Sequence, residues 1–333
     1  MARALEIDGL NYDDELLNCL ELLFRLRTEE LYLHYSKIFS ERKIEVLHDT
    51  RVAARRLQAL FKIFRSLFPQ KKFLETYSIL KNFIDLLGPV RELDVLSAML
   101  GSYIAKRNIN EIKALMLLFA NLNYTTLEKR AELFKHPDIL NFSDKKNQFL
   151  KFYTKYLNKS RKQKLTQLQP LKSFRENAKN IFPFLFDNMF KFKTSVIGQT
   201  KNKMKLHRMR IKAKPLRYFM ELYLNAFKED FTKYYIDIKS FVDRTGNVHD
   251  MDVLSVKLNK FLKEIRFFNS KQKSRKDNIP TKPIREFLSD IKKKRALNFN
   301  KICNQIIKWE EENFKEKVML NLGIINIPEK QIL

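Results

Sequence analysis

Apolar residues recur at three- and four-residue spacing along almost the whole chain, the period at which one face of an α-helix meets a core. The spacing predicts helices near 13–38, 43–68, 71–87, 90–106, 109–135 and 143–158, then near 171–193, 200–226, 230–244, 248–267 and 284–318. Between the two sets lies a polar, Lys-rich connector, SRKQKLTQLQP, ending at Pro170. Residues 269–283 (NSKQKSRKDNIPTKP) carry no apolar period and read as a mobile basic loop. Only 6 Gly and 9 Pro occur among 333 residues, too few for the tight turns that a sheet protein of this size needs. The expected fold class is all-α.

The pattern also repeats. HDTRVAARRLQALF, from His48, matches HRMRIKAKPLRYFM, from His207; LGPVRELDVLSAML, from Leu87, matches TGNVHDMDVLSVKL, from Thr245. Lys81 and Lys239 correspond, as do Gly88 and Gly246, and each of these glycines is placed as a C-cap between two helices. Matches in the same order imply two duplicated helical bundles, 1–160 and 161–333.

Charge sharpens this picture. Lys and Arg number 65 against 38 Asp and Glu, a net charge of +27. Up to Ser160 there are 26 basic and 20 acidic residues, and beyond it 39 and 18, so the excess lies mostly in the second half. Such an excess is self-repelling in a compact chain and is relieved by an anionic partner: nucleic acid, an anionic membrane surface or a free polyanion. Cys19 and Cys303 form neither a disulfide framework nor a metal site. No apolar stretch is long enough to span a bilayer and the N-terminus has no signal-peptide pattern, so the expectation is a cytoplasmic protein.

Advancing 100° per residue from His48 places Arg51, Arg55, Gln58, Lys62 and Arg65 on one arc, opposite Leu57, Leu60, Phe61, Phe64 and Phe68. The second copy repeats the arc with His207, Arg210, Lys214 and Arg217, extends it upstream with Lys203 and interrupts it at Glu221. An ordinary solvated face mixes signs; the first arc contains no acid. Guanidinium forks match phosphate oxygens, and cations one turn apart suit a linear run of phosphates. Stacking of bases would call for aromatic residues among the cations, and only Tyr218 stands near either stripe. The stripes therefore read phosphate, with a nucleic-acid binder as the alternative and a polyphosphate-processing enzyme as a third class.

LHDTRVAARRLQALFKIF, LGPVRELDVL, LHRMRIKAKPLRYFMELY and GNVHDMDVL resemble the hallmark segments of the CHAD family, the conserved histidine α-helical domains, over roughly Asp13 to Asn313. The resemblance implies two pseudo-symmetric helical bundles with a basic central groove or channel, binding of inorganic polyphosphate and association with polyphosphate granules. The triphosphate-hydrolysing segment that accompanies many members does not occur here, so the expectation is non-catalytic binding with no cofactor or metal. By motif position it places phosphate contacts on His48, Arg51, Arg55, Arg56 and Arg91, and on His207, Arg210, Lys214 and Arg217, with His249 standing where Arg91 stands. Lys62, Arg65, Lys81, Lys203 and Lys239 complete the candidate set. Gln58 and Pro215 depart from the family pattern, and Pro215 is expected to bend its helix. His48-Asp49 and His249-Asp250 form dipeptides seen in metal phosphohydrolases, but neighbouring cations would repel a metal. Asp94 and Asp252, placed near helix N-termini, read as capping groups or as holders of a neighbouring Arg. The two repeat histidines either meet phosphate or hold the bundles in register.

Overall fold

In a computed structural model the described residues form helices joined by short loops and turns. The structure describes residues 7, 9–41, 43–108, 112–166, 172–199, 202–227 and 229–324, with the backbone alone at 164–166 and 229. In chain order the helices are α1 (Leu16–Ser40), α2 (Ile44–Ile63), α3 (Gln70–Ile104), α4 (Lys113–Lys135), α5 (Pro137–Leu140), α6 (Lys145–Thr166), α7 (Phe174–Phe190), α8 (Lys193–Val196), α9 (Lys203–Leu222), α10 (Glu229–Ser270), α11 (Lys282–Glu311) and α12 (Phe314–Asn321). Among the described residues the one β feature is an isolated antiparallel bridge between Glu15 and Ser173, which sets the starts of α1 and α7 side by side.

The packing order in the first half, α1 on α2, α2 on α3 and α3 on α4, has the same sequence as α7 on α9, α9 on α10 and α10 on α11 in the second. Helix α2 also lies against α9. The apolar residues do not separate into one core per half. A large cluster runs from Leu20, Phe24, Leu57 and Phe61 through Leu80 and Leu87 to Phe182, Phe219, Phe241 and Trp309. Phe64 and Phe219, 6.3 Å apart, are among the rings that join the halves. A smaller cluster, including Leu96, Leu100, Leu118, Leu254, Leu258 and Phe287, binds the α3–α4 hairpin to the α10–α11 hairpin.

The expected breaks at Gly88 and Gly246 do not occur: 71–87 and 90–104 are parts of α3, which ends two residues before the expected boundary, and 230–244 and 248–267 are parts of α10. A glycine in a helix costs about 1 kcal/mol, and the proline at 89 removes one hydrogen bond. Against this, the buried stripe Leu80, Phe83, Leu87, Val90, Leu93 and Leu100 is continuous across the site. Each large apolar side chain so buried contributes about 1.5–3 kcal/mol, so packing outweighs local propensity. Helix α9 likewise continues through Pro215.

Other boundaries shift for local reasons. Helix α6 extends into the expected connector, whose Lys, Gln and Leu are good helix formers; residues 167–171 lie outside the described part. The expected helix 284–318 divides at Asn313, which takes a left-handed conformation (φ 51°), a position that Asn tolerates. In the basic loop, Asn269 both donates to the Ile279 carbonyl (3.0 Å) and accepts from the Ile279 amide (2.9 Å), which ties the loop at its base. His136, given no role by sequence, accepts the Asp138 amide at the start of α5.

Candidate functional site

Helices α2 and α9 present Arg51, Arg55, Arg210 and Lys214 into a shared basin of about 920 Å³, walled by α3 and α10 and by part of α4. His48, Arg91, Arg217 and His249 line it too. Gly88 and Gly246 explain how so much charge fits. The Arg51 guanidinium lies over Gly88, where a Cβ would sit 3.7 Å from its Nη2, and that of Arg210 lies over Gly246, with 3.8 Å to its Nη2. A methyl group at either place makes ordinary contact, while a larger side chain meets the cation. These glycines shape the basin wall instead of ending a helix.

Some of the charge is neutralised internally. Arg217 pairs with Asp243 at 3.3 Å, Lys257 with Glu92 at 3.8 Å and Lys129 with Glu132 at 2.6 Å. Arg51, Arg55, Arg91, Arg210 and Lys214 have no carboxylate within ion-pair distance among the described residues. The Nε atoms of Arg51 and Arg210 are buried without a hydrogen-bond partner there, a situation that typically costs about 1–3 kcal/mol per group.

The crowding of like charges acts on protonation. Burial, then Arg210, Arg55 and Arg51, holds the Lys214 ammonium down at about 6. Burial and the charges of Arg55, Arg210 and Arg91 lower Arg51 to about 10. Arg210 is lowered by burial, which the Asp250 carboxylate opposes. Burial, with Arg91 next, takes His48 down to about 4; His207 and His249 are lowered by burial as well. Without an anion these shifts favour the uncharged forms of the imidazoles and of Lys214.

The remaining sequence candidates fall elsewhere. Arg56 is buried in an ion-pair network, with Nη1 2.8 Å from Glu30 and Nη2 2.8 Å from Glu221; Arg27 joins Glu30 at 2.7 Å. Glu221 thus anchors the two halves and does not merely interrupt a stripe. Lys62 and Arg65 are exposed beyond the basin, Arg65 over the Phe73 ring. Lys81 is exposed and pairs with Asp85 at 2.8 Å, and Lys239 lies outside the lining. Lys203 pairs with Asp252 at 2.7 Å and, with His207, borders a neighbouring cavity.

Asp94 and Asp252 sit inside α3 and α10, not at N-termini, and each holds an arginine from the next helix: Arg130 at 2.9 Å and Arg295 at 3.2 Å. Among the described residues no three His, Cys, Asp or Glu side chains gather as metal ligands.

Sequence reasoning missed Lys129, Lys257, Asp243 and Asp250 in the lining. Lys257 stands seven residues after Asp250 on one helix, a spacing that was available as a signal. Lys129 had none, because α4 reaches the basin only through the packing of its hairpin on α3. The resulting arrangement is a cationic basin lined by guanidinium groups from facing helices, suited to charge-assisted hydrogen bonds with several anionic oxygens at once.

Known structures share this architecture. A crystal structure of the CHAD domain from the plant Ricinus communis aligns with a TM-score of 0.61 and 16% identity, covering 98% of each chain. The structure of PptA from Streptomyces chartreusis aligns with a TM-score of 0.60 and 10% identity, covering 89% of this chain and 100% of that one. A comparison with curated proteins finds no match. The model of the CHAD domain matches residues 23–259, a span that takes in α2, α3 and α9 and every residue lining the basin, and the chain belongs to that family.

Proposed function

We propose that this protein is a non-catalytic binder of linear inorganic polyphosphate, held in the basin between α2 and α9. The observation that carries the reading is the convergence of Arg51, Arg55, Arg210 and Lys214 from two helices with no carboxylate paired to them among the described residues. Partly buried cations with no carboxylate at ion-pair distance among the described residues are costly in the empty protein, and a run of phosphates supplies both the charge and the acceptors. A polymer with one charge per unit can meet cations of both α2 and α9 at once, which a single compact anion does less well. Among the described residues Tyr218 is the one Phe, Tyr or Trp in the basin lining, so no row of such rings runs among its cations for the successive bases of a strand. Family membership supports the same ligand. In a cell such a binder would collect where polyphosphate is concentrated, in granules. Among the described residues no helix is long and apolar enough to cross a membrane.

The test is a competition titration at near-physiological salt. Labelled long-chain polyphosphate is bound to the full chain and challenged with single- and double-stranded DNA at matched phosphate concentration. A companion protein carries Arg51→Gln, Arg55→Gln, Arg210→Gln and Lys214→Gln, with its fold checked by circular dichroism. The expected result is that DNA displaces polyphosphate poorly and the folded companion does not bind. Equal competition by DNA, or unchanged binding by the companion, would overturn the reading.

A further inference from the structure

Beside the basin, between the start of α9 and the middle of α10, lies a second cavity of about 390 Å³, within the size range of small-molecule sites. Its walls are mostly aliphatic, from Met204, Leu206, Val248, Val253 and Val256. Arg210 and His249 line both spaces and so mark their junction. There the imidazoles of His207 and His249 lie 5.3 Å apart, tilted by 39°. Away from the junction Asp252, which is not part of the basin lining, offers a carboxylate held by Arg295 and Lys203.

This order of surfaces (cations, then imidazoles and aliphatic walls, then a carboxylate) gains nothing from an inorganic phosphate chain, which has neither apolar area nor many donors. It matches a molecule with phosphates at one end and a flat, partly apolar body carrying hydroxyl or amine donors at the other. We propose that the second half of the site binds a nucleoside 5′-polyphosphate, with its phosphates on Arg210 and Lys214 and its base and ribose in the adjoining cavity. The proposal rests on the basin being a phosphate site.

The experiment uses the full chain carrying labelled long-chain polyphosphate in metal-free buffer, displaced by ATP or by inorganic tripolyphosphate. Tripolyphosphate is the more highly charged, so charge alone ranks ATP second. The expected result is displacement by ATP at about tenfold lower concentration, what burial of roughly two methylenes' worth of base would give. Val253→Trp, which fills the cavity, should bring the two competitors together while leaving polyphosphate affinity within about twofold. Val256→Trp, at a residue 66% exposed and therefore harmless to folding, repeats the test from the rim. Tripolyphosphate equal or superior to ATP, or an ATP advantage kept in both variants, overturns the inference. Failure of the labelled chain to bind at all would instead overturn the polyphosphate reading.

Discussion

Arg56 of α2 reaches Glu221 of α9 through two bonds, Nη2 at 2.8 Å and Nε at 3.1 Å to the same oxygen, while its Nη1 holds Glu30 of α1. Arg56 is the neighbour of Arg55, which points into the basin. Adjacent arginines in one motif therefore have opposite tasks, one facing the ligand space and one fastening the helices that frame it. Glu30 and Glu221 are almost wholly buried, so removing Arg56 takes from Glu221 the arginine that links it to α2 and leaves Glu30 with Arg27. Arg56→Ala is expected to destabilise the protein by about 3–5 kcal/mol, as loss of one member of a buried pair does, measured by urea unfolding. Unchanged stability with lost polyphosphate binding would make Arg56 a ligand residue instead.

Lys214 should give binding a pH dependence. In the empty protein its ammonium is held down at about 6, and an adjacent polyanion favours the charged form. Binding then takes up a proton above pH 6, so affinity falls as pH rises from about 6 towards 9. Calorimetry in buffers of different ionisation enthalpy reads that proton directly. Lys214→Arg, charged throughout this range, should flatten the profile; an identical profile in the variant would remove Lys214 from the account.

The same residue sets the opposite trend for the empty protein's stability. Unfolded, Lys214 binds its proton up to the ordinary lysine range near 10.5; folded, it loses the proton above about 6. Between those values the unfolded state holds more protons, so this contribution makes stability rise with pH. Lys214→Met should raise the melting temperature near neutrality and reduce the slope. A lower melting temperature in the variant would contradict the unfavourable environment assigned to the amine.

The glycines under the guanidinium groups separate stability from function. Gly88→Ala and Gly246→Ala place a methyl in ordinary contact with Arg51 and Arg210, and should stabilise the helices by up to about 1 kcal/mol each with binding retained. Gly88→Leu should displace Arg51 and weaken polyphosphate binding about tenfold or more, the loss of one charge-assisted hydrogen bond. Titration of all three variants beside their thermal melts decides the matter.

Salt dependence counts the cations engaged. Five basin cations without a carboxylate partner among the described residues predict a slope of log K against log salt near about −3.5, at roughly 0.7 per phosphate neutralised on a single-stranded polyanion. Arg55→Ala should reduce the slope by about 0.7. Lys81→Ala, in a cation already paired with Asp85 on the surface, should leave it unchanged; an equal reduction there would mean a diffuse surface patch and not a basin.

The helical fold was legible because apolar residues at three- and four-residue spacing leave few alternatives. Its continuity was not: Gly88-Pro89 reads locally as an end, and only burial on both sides of it keeps α3 intact. Within the site, Arg51, Arg55, Arg210 and Lys214 could be read from spacing because each pair shares a helix face. The same arithmetic extended the stripe to Lys62 and Arg65, since a helix projection does not show where the opposing helix ends. The pairing of Arg56 with Glu30 and Glu221 was not legible, because a motif position records that a cation is needed without recording which neighbour it meets. Lys129 depends wholly on how two hairpins dock.

The unpartnered cations of α2 and α9 have a consequence for anyone who engineers or evolves this chain. Where burial of like charge weakens the empty fold, substitutions that remove the charge are the easiest route to a tougher protein. A laboratory screen that rewards heat resistance alone would drift toward neutral residues at Lys214 and Arg51, producing sturdy molecules that have forgotten their ligand. Including the polyanion during selection would reverse that drift.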